Sequence, residues 1–404
     1  MVNLSFRKTG NNAAEGRRFY DYSLLFVILF LCVFGLIMVF STSSYIAELK
    51  YGSSWHFVRL QGLYMVIGFI AMILVSKINY RIWAKVTIIA WLGAVFLMCL
   101  VNYTPLGVEY NGKKRWLSVA GRTIQPTEFV KVAIILCMAY GIVYYSKKIE
   151  RIRVHLFLLA LMAVPSLLVA QNNLSSGIIC GGIAVIMLFV ACRNKTRFLV
   201  IAGVIIVTAV LVILFRGKLA EIGLLQDYQV NRIEAWLYPA ANADKGSYQT
   251  LQSLYAIGSG GMFGRGLGNS IQKLGFVPEA QNDMIFAIVC EELGLFGALC
   301  LILLYIFLLW RMMIIANNAP NLFGSMLVVG VMAQIALQVV LNIAVVTNVI
   351  PNTGVSLPFI SYGGTSVIIL MAEMGLVLGV SNQIYLKAPM PRRASASAKE
   401  EAAQ

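Results

Sequence analysis

The sequence is poor in the residues from which soluble enzymes are built. Only 12% of its 404 residues are charged, about half the share of an ordinary soluble domain. Two histidines, His56 and His155, are all it has, which leaves little for a histidine-built metal site or a Ser-His-Asp triad. The seven cysteines (Cys32, Cys99, Cys137, Cys180, Cys192, Cys290 and Cys300) are odd in number, form no C-x-x-C pair, and lie in or beside apolar runs. That pattern argues against a zinc or disulfide framework and fits small helix-packing residues. No G-x-x-x-x-G-K-[ST] sequence occurs, and the glycines from Gly258 to Gly268 do not follow dinucleotide-binding spacing. ATP or NAD chemistry is therefore not expected. No internal repeat is found.

What the chain has is apolar surface. Hydrophobic residues make up 59% of it, gathered in continuous runs long enough to cross a hydrocarbon core, which takes about 20 helical residues. Ten such runs are found, at 22–44, 59–76, 82–101, 127–145, 154–170, 176–192, 198–215, 283–310, 323–347 and 364–384. The expected fold is all-α and polytopic: a membrane domain over 22–384, a short segment 1–21 before it, and a disordered tail over 385–404. Residues Ala13 to Asp21 precede the first run and no small-residue cleavage site follows it, so the first run reads as a retained span.

The net charge of +15 does not point to nucleic acid, because the basic residues fall in short clusters at alternate span ends. Lys77, Arg81 and Lys85, then Lys147, Lys148, Arg151 and Arg153, then Arg193, Lys195 and Arg197 mark one side. By the positive-inside rule that side is cytoplasmic and holds both termini. The opposite side carries a loop at 102–126 and a longer one at 216–282. Both hold cations where few are expected: Lys113, Lys114, Arg115 and Arg122 in the first, and Arg216, Lys218, Arg232, Lys245, Arg265 and Lys273 in the second. An anionic ligand at the outer face would account for them.

Three segments carry chemistry. The first runs NGKKRWL and then QPTEFVK, with Gln125, Pro126, Glu128 and Lys131 at a helix start. Arg115 offers a bidentate fork to phosphate, and Glu128 and Lys131, three apart, share one helix face. They read either as a plain salt bridge or as functional ions inside a span. The second is PEAQNDMIFAIVCEELG. Its Asp283 reads either as a helix N-cap or as a general base beside an outward basic cavity. Glu291 and Glu292 lie deeper, one to pair within the bundle and the other to face the cytoplasmic half. The third, PNTGVSLPFISYGGTS, places irregular backbone between two spans, as a connector or as the lining of a ligand cavity.

Together these segments resemble the SEDS family of membrane proteins (FtsW, RodA and SpoVE), in order and over nearly the whole chain. The stretch YQTLQSLYAIGSGGMFGRGLGNSIQK and the spelling TNVIPNTGVSLPF look more like the FtsW and SpoVE branch than RodA. The resemblance implies peptidoglycan glycosyltransfer at the outer face of the cell membrane, with lipid II as substrate, undecaprenyl-linked glycan as donor and undecaprenyl pyrophosphate as leaving group. Carried over by position, it implies Asp283 as the essential acid. Arg59, Lys114, Arg115 and Lys131 are the outward cations, Gln125 and Glu128 belong to the QPSE element with Thr127 in place of Ser, and Ser361, Gly363, Gly364 and Thr365 form the SYGG turn. Asn173 stands where the family commonly has Asp, which puts an ionic role there in doubt. No cofactor is implied with certainty, and a divalent cation (Mg or Mn) beside Asp283 is left open. Implied partners are a class B penicillin-binding protein and other divisome membrane proteins, with the division septum as location. A lipid II flippase, or a scaffold recruiting a penicillin-binding protein, are the rival readings from other classes.

Overall fold

The computed structural model describes residues 18–385, apart from 111–112, 120–121, 222, 224–226 and 246. The expected N-terminal segment up to residue 17 and the tail after residue 385 lie outside the described residues. Each of the ten apolar runs is a helix. They are α1 (Tyr22–Tyr51), α2 (His56–Lys77), α3 (Trp83–Tyr103), α4 (Pro126–Tyr144), α5 (Ile152–Ala170), α6 (Leu174–Ala191) and α7 (Thr196–Leu214). Beyond the large loop come α11 (Ile285–Asn318), α12 (Leu322–Val346) and α13 (Thr365–Ser381). Nine of the described helices are long and apolar enough to cross a membrane; α13 is apolar but shorter.

Local chemistry sets the boundaries. Asp21 caps α1 by accepting from the Leu24 N–H at 2.9 Å, and Gly52, at φ 66°, ends it in the left-handed conformation. Pro126 occupies the first turn of α4, where a missing N–H costs nothing. Asn173 caps α6 by accepting from the Ser176 N–H at 3.2 Å. Asn and Asp fill that capping role equally well, and Asn173 also lines the cavity described below.

The loop 102–126, in a chain expected to be all-α, contains a three-stranded antiparallel sheet. Its strands are β2 (Gly107–Tyr110), β3 (Lys113–Val119) and β4 (Arg122–Ile124), in the order β2-β3-β4. The large loop holds α8 (Arg216–Glu221), α9 (Asp227–Leu237) and α10 (Tyr248–Gly260). At the opposite face β1 (Arg18–Phe19) pairs antiparallel with β5 (Ile384–Tyr385), so both ends of the membrane domain lie on one side. There Arg311 donates to Asp21 Oδ2 at 2.7 Å, and the Asp21 N–H donates to Ser381 Oγ at 3.1 Å.

In the bundle α2 packs on α13, α3 on α4, α5 on α6, and α12 on α4, α6 and α11. Among the nine long spans α4 and α12 are the most enclosed, whereas the membrane-spanning stretch of α7 has no buried residue among those described. Helix α11 is broken at Gly294, whose backbone (φ 68°, ψ −169°) is not helical. The arm Ile285 to Leu293 is thereby set off from the piece that crosses the membrane.

Candidate active site

The loop before α11 and the irregular segment before α13 border a cavity of about 660 Å³. Its walls come from the sheet, from α4 and α6, from the loop before α11 and from the turn before α13. It is lined by Arg115, Gln125, Glu128, Lys131, Asp283, Gly363, Gly364 and Thr365 among others. Most of the candidates, drawn from three distant segments, thus face one space.

Asp283 does not cap α11. Met284 holds the cap position, without a side-chain hydrogen bond, and the helix starts at Ile285. The Asp283 backbone is tied down instead: its carbonyl accepts from Asn342 Nδ2 at 2.7 Å, and the same amide donates to the Val355 carbonyl at 2.7 Å. The carboxylate accepts from Gln249 Nε2 at 3.3 Å, and Gln249 in turn accepts from Asn352 Nδ2 at 2.8 Å. Gly354 sits opposite at φ 65°, where an added Cβ would stand 3.4 Å from Asp283 Oδ2. A side chain there would meet the carboxylate and strain the backbone as well. Burial pushes the Asp283 acid up to about 7, and the nearby Glu279 charge adds to it; Gln249 and Arg115 work in the other direction. A carboxyl titrating near neutrality is poised to take up a proton.

Across the cavity Lys131 Nζ lies 2.7 Å from Glu128 Oε2, with both side chains almost fully buried. Glu373 of α13 is a further buried acid, accepting from Gln334 Nε2 at 2.8 Å. Arg115 lines the cavity from β3 and its Nε donates to the Asn172 carbonyl at 3.3 Å.

Three candidates fall outside this space. Arg59 is exposed near the start of α2 and does not line the cavity. Lys114 lays its stem over Gly107 within the sheet. Ser361 is buried and braces the turn: its hydroxyl accepts from the Leu357 N–H at 2.8 Å, and its carbonyl accepts from Gln61 at 3.3 Å. Gln61 also accepts from the Gly363 N–H at 3.3 Å, so α2 holds this turn at both ends.

Several outward cations have partners that the sequence did not disclose. Lys273 Nζ pairs with Glu292 at 2.8 Å and donates to Ser41 Oγ at 2.9 Å. Arg265 approaches Glu291 at 3.7 Å, and Arg216 approaches Glu234 at 3.8 Å. The anionic ligand expected for these three is the protein itself. Glu291 and Glu292 are both fully buried in one cluster with the loop, so neither faces the cytoplasmic half. The side chains of Lys113, Arg122, Arg232 and Lys245 lie outside the described residues. Sequence reasoning also missed Gln249, Gln338 and Asn342. Gln334, Gln338 and Asn342 recur every fourth residue on α12, a polar stripe in an apolar run that could have been noticed.

Comparison with known proteins gives a consistent result. The chain is 38% identical to stage V sporulation protein E of Bacillus subtilis over 369 residues, covering 89% of this chain and 96% of that protein. It is 34% identical over 390 residues to a probable peptidoglycan glycosyltransferase FtsW of Geobacter metallireducens, covering 95% and 99%. A chain of a solved peptidoglycan synthase complex superposes with a TM-score of 0.74 at 24% identity, covering 91% of this chain and 99% of that one. RodA of Thermus thermophilus superposes at 0.64 with 23% identity, covering 91% and 98%. The family model described as a cell cycle protein, FtsW/RodA/SpoVE, matches residues 22–386. The chain belongs to the FtsW, RodA and SpoVE family.

Proposed function

We propose that this protein is a peptidoglycan glycosyltransferase that polymerises lipid II at the outer face of the cell membrane. Relatives named as probable peptidoglycan glycosyltransferases over nearly their whole length support the activity. The observation that carries the mechanism is Asp283, held by Gln249 and Asn342 in a cavity that it shares with Arg115 and Lys131.

In this reading Asp283 accepts the proton of the acceptor N-acetylglucosamine 4-hydroxyl. The oxygen then bonds to the anomeric carbon of the donor strand as the bond from that carbon to the pyrophosphate oxygen breaks. The electron pair leaves with undecaprenyl pyrophosphate. A single displacement turns the α-linked donor into a β-linked product, so no protein nucleophile is needed. Arg115 and Lys131 oppose the charge that gathers on the departing pyrophosphate. Glu128 keeps Lys131 neutralised until that charge arrives.

The solved neighbour described as a peptidoglycan synthase complex coordinating polymerization and crosslinking supports a partner of the class B penicillin-binding protein type for this chain. Similarity to FtsW and to stage V sporulation protein E supports work at the division or sporulation septum. The test is polymerisation of purified lipid II in detergent, where no leaflet exists to cross. Wild-type protein with its penicillin-binding partner is expected to make glycan strands, and Asp283→Asn to make none. Strands at the wild-type rate from Asp283→Asn would end the mechanism, and no strands from either protein would favour the transporter reading.

A further inference from the structure

Segment 261–277, between α10 and the Asp283 loop, turns apolar side chains outward. Met262, Phe263, Leu267, Ile271, Leu274 and Phe276 are all exposed, Phe263 by 81%. A contiguous apolar surface of this kind marks an interaction site, and the structure says what covers it.

The first observation is depth. Ser41, at the inner edge of the segment, lies twenty residues along α1 from Asp21, about 30 Å at the helical rise. On α11, Leu295 stands sixteen residues from Arg311, about 24 Å. Asp21 and Arg311 are paired at the face that holds the chain ends. The segment therefore lies one hydrocarbon thickness, about 30 Å, from that face.

The second observation is its backbone. Irregular chain at the edge of the hydrocarbon is favoured when much of its polar backbone is satisfied within the protein. The N–H groups of Gly264, Arg265 and Gly266 donate to the carbonyls of Gly260, Glu291 and Glu292. Ser270 and Ile271 donate to the Glu292 and Glu291 carboxylates, and Lys273 to Ser270 Oγ. Asn269, Leu274 and Val277 donate to carbonyls inside the segment. Nine of the segment's seventeen N–H groups are held in this way, four of them on Glu291 and Glu292. Lys273 is buried against Glu292, and Arg265, itself exposed, reaches back to Glu291 at 3.7 Å. The third observation is continuity: the segment runs directly into the exposed Phe296, Leu299 and Leu303 of α11, part of the belt that a membrane-crossing helix presents to lipid.

We infer that segment 261–277 is seated in the lipid leaflet on the cavity side, with acyl chains covering its apolar rim. The Glu291 and Glu292 cluster supports the seat, since it takes up the Lys273 charge and four backbone N–H groups of the segment. The inference does not depend on the reaction at Asp283.

The test places p-benzoylphenylalanine at single positions of the full chain in phosphatidylethanolamine and phosphatidylglycerol vesicles. After irradiation, intact mass reads the phospholipid adduct. Phe263→p-benzoylphenylalanine and Ile271→p-benzoylphenylalanine are the probes, and Leu303→p-benzoylphenylalanine is the lipid-facing reference. Leu49→p-benzoylphenylalanine, about 12 Å beyond Ser41 along α1, is the reference outside the hydrocarbon. Adduct yields at 263 and 271 are expected to match position 303 and to exceed position 49 about tenfold. Yields at the level of position 49 would overturn the inference. So would a crosslink to a second polypeptide as the main product when the same variants are irradiated in cell membranes.

Discussion

Replacing Glu279 with glutamine tests the electrostatics of the site without touching Asp283. The Asp283 acid stands at about 7, raised by burial first and by the Glu279 charge second. With that value the carboxylate fraction is roughly one tenth at pH 6, one half at pH 7 and nine tenths at pH 8. If Asp283 is the base, the rate at subsaturating lipid II climbs about tenfold per unit below pH 7 and levels off above pH 8. Glu279→Gln removes the like charge, leaves burial in place, and should move the midpoint about half to one unit toward acid. At pH 6 the variant should then run roughly two and a half to five and a half times faster than wild type, and at pH 8 the two should agree. The assay is glycan-strand length and initial rate by gel, from pH 5.5 to 9, in one detergent and at fixed ionic strength. A wild-type profile that is flat between pH 6 and 8 would refute the role of Asp283 as base. A Glu279→Gln midpoint that does not move, or moves to alkali, would refute the electrostatic account.

The same shift has a consequence for stability. A carboxyl whose folded value is raised binds its proton more tightly folded than unfolded, so its ionisation costs stability as pH rises from about 4 toward 7 and in full above 7. Asp283→Asn should therefore melt higher than wild type at pH 8, by up to about 4 kcal/mol of stability, and nearly with it at pH 4; equal melting at pH 8 would count against the raised value. Lys131→Met alone strands the buried Glu128 and should destabilise by about 3–5 kcal/mol, whereas Lys131→Met with Glu128→Gln should recover most of that loss in a thermal melt while staying inactive on lipid II. Gly294→Ala should lower the melting point markedly, because a Cβ there would stand 2.3 Å from the Gly264 amide nitrogen at a φ of 68°; an unchanged melt would mean that the arm and the loop do not pack as described.

The helices were legible because lipid demands long apolar runs, and those runs can be counted. Even there, α1 continues to Tyr51 where the reading stopped at residue 44, since the chain stays helical past the apolar run until Gly52. The sheet was not legible: its strands are short, with no run of alternating apolar residues to announce them. Asp283, Arg115 and Lys131 could be placed on one side of the membrane from sequence, but their meeting in one cavity depends on long-range ties such as that of Asn342 to Asp283 and Val355, and on the close approach of Gly354. Lys273 and Arg265 looked like ligand cations because their partners, Glu292 and Glu291, are 19 and 26 residues away. Only the fold of the loop around Gly264 brings them within reach.

Asp21 fastens three helices at one end of the molecule: α1, which it caps, α11 through Arg311 and α13 through Ser381. The paired strands β1 and β5 close the same end, while the cavity opens at the other. Helices held at one end can separate only at the other, so this knot acts as a pivot. A 5° tilt about it displaces the far end of a helix about 30 Å long by about 2.5 Å, roughly the difference between a slot that admits a phosphate and one that does not. Room for a bulky substrate can therefore be made at the rim while the far side of the bilayer stays sealed.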